Sequence, residues 1–213
     1  MRRARGRPTH ADAVRQREDL LAIALQAFLE EGFAGSSIEG IARRAKVSKS
    51  TVYLQYHNKN ELFRATALRG LASVRSELGT SIREKIPVEA GLLSIIGRVQ
   101  TLAADQALRD LSRLLIAESL RFPDIAATML SEIDHLFEPI ADYLRRANER
   151  GVLAVPNPTS GARDLAMLAI GGFNFLLAEP PTSRHEIKAR AEEVLTLLSR
   201  SWAVANVRGP GKT

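Results

Sequence analysis

Cysteine is absent from the 213 residues of this chain. Its absence excludes disulfide frameworks, zinc sites built from thiolates and cysteine nucleophiles. Aromatic residues are also scarce, at 5% of the sequence, and no segment shows the alternation of apolar and polar residues that is typical of a half-buried strand. Because almost every periodic segment has helical spacing instead, the sequence predicts an all-α protein.

Long apolar segments are lacking as well. The longest nearly apolar run covers residues 165–178, contains Asn174 and a pair of glycines, and is too short to span a bilayer. No apolar stretch follows the basic N-terminus, so we expect no signal peptide. The expected location is the cytoplasm, with no membrane partner.

The motifs of common catalytic and nucleotide-binding sites are missing too. The chain contains no GxSxG, HExxH, P-loop or GxGxxG pattern. Its four histidines (His10, His57, His135 and His185) are scattered along the sequence. We therefore expect no enzyme, no metal site and no cofactor.

Positive charge is concentrated near the N-terminus. The formal net charge is +6; residues 1–60 hold 11 Lys or Arg against 6 Asp or Glu, whereas the other 153 residues hold 19 against 18. A local basic excess indicates a polyanionic partner at that end of the chain. A solvated charged surface fits the same pattern, and charge alone does not distinguish the two.

Apolar periodicity and stop signals divide the chain into a basic arm, residues 1–10, and a series of helices. The predicted helices cover approximately residues 11–31, a short segment from Ser36 or Ser37, a short segment after Ser48, and residues 59–78, 88–104, 106–120, 123–150, 159–178 and 183–206. Two domains follow: residues 1–63 form the arm and a unit of short helices, and residues 64–213 form a larger helical domain.

The second and third helices, with the short turn between them, have the features of a helix-turn-helix. Ser36, followed three residues later by Glu39, fits a capping box at the start of the second helix. A tight turn at Lys46 and Val47 comes next, and Ser48 caps the third helix. The spacing therefore predicts a compact unit whose third helix is presented to a DNA major groove.

One side of the third helix is predicted to be buried through Val52 and Tyr56. The other side carries short hydroxyls, a basic group and an amide, which suit contacts to phosphates and base edges. This exposed side comprises Lys49, Ser50, Thr51, Tyr53, Leu54 and Gln55.

About 50 residues in this region resemble the DNA-binding domain of the TetR family of transcriptional regulators. The resemblance is carried by the spaced series Phe28, Gly32, Phe33, Ser36, Ser37, Ile38, Ile41, Ala42, Ala45, Val47, Ser48, Ser50, Thr51, Val52, Tyr53, Tyr56, Lys59, Glu61 and Leu62. Two residues depart from the family pattern. Lys46 stands where glycine is usual, and Tyr56 stands where phenylalanine is usual.

The resemblance implies roles for residues at and around the third helix. Tyr53 and Lys59 would hold phosphates, and Leu54 would face or flank the groove. The full set of candidate DNA-binding residues outside the arm is Ser37, Ser48, Lys49, Ser50, Thr51, Tyr53, Gln55, His57 and Lys59. A half-buried core ring is the alternative role for Tyr53.

The basic arm contains a second candidate DNA contact. Its Arg5-Gly6-Arg7-Pro8 segment resembles the core of an AT-hook. A narrow A·T minor groove concentrates negative potential and attracts inserted arginines. We therefore expect Arg5 and Arg7 to lie in the minor groove beside each half-site.

The last two long helices are predicted to form a dimer interface, as in TetR-like proteins. Each carries an apolar stripe at helical spacing, and two such helices doubled by a two-fold axis form a four-helix bundle. The stripe residues are Leu165, Ala169, Gly172, Leu176, Ile187, Val194, Leu198 and Trp202. The same stripes also fit the core of a single subunit.

The central helices resemble, more loosely, the C-terminal domain of multidrug-type TetR regulators. The resemblance implies a site for a small and mainly apolar effector. Its candidate lining residues are Leu93, Ile96, Leu115, Phe122, Met129, Phe137, Ile140 and Phe173. An ordinary core also contains such residues, and sequence does not separate the two uses.

The resulting hypothesis is a homodimeric repressor that binds double-stranded DNA at a palindromic operator and is released by a small-molecule effector. An activator or a ligand-independent DNA-binding protein of the same fold is the first alternative. An enzyme with an incidental helix-turn-helix and a helical protein-interaction bundle are the others.

Overall fold

The structure is a computed structural model that describes residues 10–82, 86–172, 174–177 and 183–202. All regular secondary structure in these residues is helical, which confirms the predicted all-α class. In chain order the helices are α1 (His10–Gly35), α2 (Ile38–Arg44), α3 (Lys49–Gln55), α4 (Lys59–Ser81), α5 (Val88–Ala103), α6 (Gln106–Ser119), α7 (Pro123–Leu136), α8 (Glu138–Glu149), α9 (Pro158–Ile170), α10 (Asn174–Leu177) and α11 (Arg184–Trp202).

The chain divides into two compact units. The first runs to Gly70 and also contains Leu114–Ala126, whereas the second contains Leu71–Arg113 and the chain from Ala127 onward. The sequence predicts two domains that are each continuous in the chain and meet after residue 63. In the structure the first unit also contains a segment from the middle of the chain, Leu114–Ala126.

Phe33 lies at the centre of an aromatic cluster in the first unit. Its ring centroid is 5.9 Å from that of Phe28, 5.2 Å from that of Phe63 and 4.6 Å from that of Phe122. Stacked and edge-to-face pairs of this kind each add about 0.5–1.5 kcal/mol beyond simple burial. The cluster packs α1, α4 and the turn after α6 together.

Gly32 breaks α1, as the sequence predicts. Its backbone has φ 69° and ψ 171°, a conformation that side-chain-bearing residues rarely adopt. The chain then resumes a helical turn that ends at Gly35, so the helix extends beyond its predicted end.

The start of α2 differs from the predicted capping box by one residue. Ser37 is the N-cap, and its hydroxyl accepts a hydrogen bond of 3.0 Å from the Gly40 amide. Ser36 is buried and donates to the Phe33 carbonyl at 3.1 Å. The predicted pairing of Ser36 with Glu39 is therefore wrong, because the buried position of Ser36 uses its hydroxyl elsewhere.

The turn between α2 and α3 is a Schellman motif. The Val47 amide donates to the Ala42 carbonyl at 3.0 Å, and the Lys46 amide donates to the Arg43 carbonyl at 3.2 Å. Lys46 has φ 53°, and among the described residues it is the one non-glycine residue with positive φ. A lysine in this conformation costs about 1–2 kcal/mol relative to an unstrained one.

The core of the second unit is formed by one apolar cluster. Helix α5 packs against α9 and α11, and α8 packs against α9. The fully buried side chains at its centre include Ile95, Ile96, Ile140, Tyr143, Leu144, Leu165 and Val194. No helix in the described ranges is both long enough and apolar enough to cross a membrane.

The predicted helix over residues 123–150 is two helices. Helix α7 ends at Leu136, and α8 begins at Glu138 with Pro139 in its first turn. Proline lacks an amide hydrogen and its ring clashes with the carbonyl four residues earlier, so it starts a new helix rather than continuing one.

The predicted helix over residues 159–178 also ends early. Helix α9 stops at Ile170, because Gly171 caps it in the left-handed conformation with φ 73°. Gly172 follows with φ 64°. The glycine pair therefore terminates a helix, whereas the sequence interpretation placed it inside one.

Most residues predicted for the dimer interface are buried inside the subunit itself. Those at most 9% exposed are Leu165, Ala169, Leu176, Val194, Leu198 and Trp202. Gly172 and Ile187 are half-buried. Burial within one subunit is what the alternative of a monomer core expects, because α5 packs against both α9 and α11. The role of these residues in a dimer interface stays a prediction.

Candidate nucleic-acid interface

Helix α3 is capped at its N-terminus and anchored by buried side chains on its inner side. The Ser48 hydroxyl accepts from the Thr51 amide at 3.0 Å and lies 2.7 Å from the Thr51 hydroxyl oxygen. Val52 is fully buried and Tyr56 nearly so, which confirms the predicted inner side. The Tyr56 hydroxyl accepts from Arg17 Nε at 3.1 Å, so the tyrosine at this position has a polar partner on α1.

The outer side of α3 is presented to solvent. Tyr53 is 41% exposed and Leu54 is 87% exposed. Lys49 and Ser50 are also exposed, whereas Thr51 and Gln55 are half-buried. The backbone amide hydrogens of the first turn point out of the N-terminal end of α3. This surface therefore combines hydrogen-bond donors, hydroxyls and apolar groups.

An ion pair crosses from α2 to this surface. Lys49 Nζ bonds Glu39 and also lies 5.4 Å from the centroid of the Tyr53 ring. The hydrogen bond between the two side chains lowers the pKa of the Glu39 carboxyl and raises the pKa of the Lys49 ammonium. Glu39 was not expected here from the sequence, and its carboxylate places a negative charge beside the candidate DNA contacts.

Lys59 lies at the start of α4, but its ammonium is engaged within the protein. It donates to the Phe33 carbonyl at 2.7 Å and to the Ser36 carbonyl at 2.9 Å. It also lies 4.5 Å from the centroid of the Phe33 ring. The Lys59 ammonium therefore holds the end of α1 against α4. Its contact with a DNA phosphate stays a prediction, and only the third hydrogen of the ammonium is left to make that contact.

His57 and Asn58 organise the link between α3 and α4. His57 Nδ1 lies 3.0 Å from Glu61 Oε2, and the His57 amide donates to the same oxygen at 3.0 Å. The side-chain hydrogen bond first, and then the amide bond, lower the pKa of the Glu61 carboxyl. Asn58 accepts from the Glu61 amide at 2.9 Å and so caps α4. The Asn-x-x-Glu spacing was the overlooked sequence signal. No group of three potential metal ligands gathers anywhere in the described part of the chain.

Two candidate sets are only partly placed. The Ser37 hydroxyl is exposed but serves as the α2 cap. Arg5 and Arg7 lie outside the described residues. The DNA-binding candidates that α3 exposes are Lys49, Ser50 and Tyr53, whereas Thr51 and Gln55 are half-buried and the Oε1 atom of Gln55 is buried.

The candidate effector-lining residues that the structure describes are found in both units. Those in or against the core of the second unit are Leu93, Ile96, Phe137 and Ile140. Leu115 and Phe122 belong to the first unit, where the Phe122 ring packs on Phe33, and their lining of an effector site stays a prediction. The Met129 side chain and the whole of Phe173 lie outside the described residues.

Two family models match the chain. One, described as bacterial regulatory proteins of the tetR family, matches residues 20–66, which include the α2–α3 unit. The other, described as the AefR-like transcriptional repressor C-terminal domain, matches residues 90–202. The second match covers more than half of the 213 residues.

Individual proteins agree with these matches. The chain is similar to the HTH-type transcriptional repressor SCO4008 of Streptomyces coelicolor, with 28% identity over 76% of this chain and 78% of that protein. It is also similar to the HTH-type transcriptional repressor BepR of Brucella suis, with 26% identity over 78% of this chain and 82% of that protein.

Solved structures agree on the fold. A Mesorhizobium loti protein described as a TetR-family regulator matches with a TM-score of 0.81 and 24% identity, over 90% of this chain and 98% of that one. The flavonoid-responsive regulator FrrA matches with a TM-score of 0.76 and 22% identity, over 92% of this chain and 100% of that one. The chain therefore belongs to the TetR family of transcriptional regulators, which bind DNA and are not enzymes.

Proposed function

We propose that this protein is a dimeric repressor that binds a palindromic operator through the outer side of α3. The observation that carries the proposal is an N-capped helix, held inward by Val52 and Tyr56, whose Lys49, Ser50 and Tyr53 face solvent. Lys49 and Tyr53 contact phosphates, and Ser50 reaches a base edge or phosphate. The half-buried Thr51 and Gln55 flank this contact.

In a two-fold dimer, α3 of one subunit is accompanied by α3 of the other subunit. Two copies of α3 then enter successive major grooves about 34–36 Å apart, the distance of one turn of DNA. The interface we propose uses the outer sides of α9 and α11, where Met167 is 40% exposed and Leu197 is 50% exposed. These apolar side chains are left over after the inner stripes have packed into the subunit core.

Selection from a random duplex pool tests specific recognition. The purified protein is expected to enrich a palindrome with two half-sites about 10 base pairs apart. It should bind that palindrome at least about 10³-fold more tightly than random DNA at physiological salt. Enrichment without a preferred sequence would support the ligand-independent DNA-binding alternative, and stimulated transcription from the selected site would support an activator.

Release by an effector is the second part of the proposal. If an effector binds the DNA-incompetent arrangement more tightly, DNA affinity must fall by the same coupling factor. A coupling of about 3 kcal/mol corresponds to about 150-fold. Anisotropy titrations of labelled operator with and without candidate compounds measure this factor, and saturating compound that leaves affinity unchanged would contradict release by that compound.

Removal of the Tyr53 hydroxyl is expected to weaken operator binding by about 1–2 kcal/mol. The change Tyr53→Phe keeps the ring and its contact with Lys49, so the fold should be retained. Operator titration by gel shift measures the loss, and circular dichroism checks the helix content. Unchanged affinity would remove the Tyr53 hydroxyl from the interface.

Neutralising Glu39 is expected to strengthen DNA binding. In Glu39→Gln, the negative charge near the phosphates is removed and the Lys49 ammonium loses its competing carboxylate. The slope of log affinity against log salt should become steeper by about 1.8 for the dimer, because each half-site gains one phosphate contact at about 0.9. The matched control is Glu77→Gln, which breaks an ion pair with Arg98 in the second unit and should leave the slope unchanged.

A further inference from the structure

The core of the second unit contains a buried amide without hydrogen bonds. Gln100 lies on α5 and is 5% exposed. Neither its Oε1 nor its Nε2 has a hydrogen-bond partner among the residues that the structure describes. One turn earlier on the same helix face, Ile96 is fully buried in the apolar cluster of the second unit, so this face of α5 is turned towards the core.

Such an arrangement reduces the stability of the unliganded protein. Buried donors and acceptors are nearly always paired in native proteins, and an unpaired one keeps its full desolvation cost. A leucine or methionine of similar size would avoid that cost. The presence of glutamine at this position is therefore explained if a molecule bound in this unit forms hydrogen bonds with the amide.

The chemistry of the amide restricts that molecule. A primary amide offers an acceptor oxygen and two donor hydrogens in one plane. A pure hydrocarbon leaves both unsatisfied, a quaternary cation offers no acceptor, and a carboxylate brings an uncompensated charge into an apolar interior.

We propose that Gln100 is the polar anchor of the effector site, and that the effector is neutral, largely apolar and carries a hydroxyl or carboxamide. This inference rests on the proposed binding of an effector by the second unit. The expected effector is thus not wholly apolar but carries one polar group that forms hydrogen bonds with the Gln100 side chain.

Equilibrium dialysis with naphthalene, 2-naphthol and 2-naphthamide tests the anchor. Wild-type protein should bind the two polar compounds about tenfold more tightly than naphthalene. In Gln100→Leu this preference should be lost, while naphthalene binding is kept and the thermal midpoint without ligand rises. Gln100→Asn, which retains the amide on a shorter chain, should keep part of the preference and guards against a merely structural explanation.

Each remaining outcome bears on the proposal. Equal losses for all three compounds in Gln100→Leu, an unchanged preference, or no binding by wild-type protein would overturn it. Operator binding is measured separately in the same samples. If Gln100 selects the polar compounds but operator binding is unaffected by them, the anchor stands and release of DNA by this class of compound fails.

The exposed side chain of Leu54 bears on the DNA sequence that the protein recognises. Leu54 is 87% exposed on the side of α3 that carries Lys49 and Ser50. In unmodified DNA the major groove offers one methyl group, on C5 of thymine, and every other edge group there is a hydrogen-bond donor or acceptor or a ring hydrogen. We infer that each operator half-site places a thymine methyl against Leu54, an inference that rests on the proposed docking of α3.

Deoxyuridine isolates that methyl group, because it keeps every hydrogen bond of thymine. Thymines of the selected operator are replaced one pair of symmetric positions at a time. One pair should reduce wild-type affinity by about fourfold per half-site, the value of one buried methyl, and should not affect Leu54→Ala. If wild-type and Leu54→Ala respond alike at every position, the inference is overturned; if no preferred operator exists, the proposed function fails first.

Discussion

Aspartate in place of Ser50 is expected to lower operator affinity at least about 100-fold without loss of fold. Ser50 is exposed in the first turn of α3, where a carboxylate is favourable for helix stability. Against DNA the same carboxylate meets phosphates, and a like-charge contact costs several kcal/mol. In a dimer the repulsion acts at both half-sites, so the effect exceeds that of any single lost hydrogen bond.

The matched control for Ser50→Asp is Ser73→Asp, which adds the same charge at an exposed position of α4. Both variants should retain wild-type helix content and thermal midpoint within experimental error. Anisotropy titrations at fixed salt then compare their operator affinities. Equal affinities for the two variants would show that the start of α3 does not meet DNA.

Glutamates at Met167 and Leu197 are expected to separate the dimer and to weaken operator binding by about 10²–10⁴-fold. Each residue exposes an apolar side chain on a helix whose opposite side is already buried in the subunit. Charges at these positions would be desolvated in the proposed interface without partners. A monomer binds only one half-site, so the gain from simultaneous engagement of two half-sites is lost.

Sedimentation equilibrium measures the separation of subunits directly. Leu130→Glu is the control, because Leu130 is a similarly exposed leucine, 68% exposed, on α7. The control should remain dimeric and bind operator as wild type does. A double variant that is still a dimer at micromolar concentration would rule out the outer sides of α9 and α11 as the interface.

Local features of the DNA-binding region could be predicted from sequence. Ser48 as the α3 cap, Val52 as its anchor and the tight turn at Lys46 depend on residues within a few positions of one another. The choice between Ser36 and Ser37 as the α2 cap could not be predicted in this way. It depends on burial of Ser36 beneath the end of α1, a tertiary effect that a capping pattern does not contain.

The sequence did not show which helices pack against the apolar stripes of α9 and α11. Leu165 and Val194 have the spacing expected of an interface, but periodicity identifies a buried side without identifying what buries it. In the structure α5 covers both helices. The same limitation explains Phe122, whose packing on Phe33 joins positions 89 residues apart in the chain.

The role of Lys59 shows how tertiary structure modifies a motif. Its position at the start of α4 predicts a phosphate contact, because the helix dipole favours an anion there. The unsatisfied carbonyls at the end of α1 lie within reach and take two of its hydrogen bonds. The motif residue therefore also serves to join two helices, a use that a linear pattern does not reveal.

The absence of cysteine allows the docking of α3 to be mapped on DNA directly. A single Leu54→Cys in the full chain can be labelled with an iron chelate that cleaves nearby DNA, with labelled Ser73→Cys as the control. Two symmetric cleavage sites in the selected operator, about 10 base pairs apart, are expected from the α3 label and none from the control. Cleavage that is absent, uniform along the duplex or equal from both labels would contradict the claim that α3 lies in the major groove.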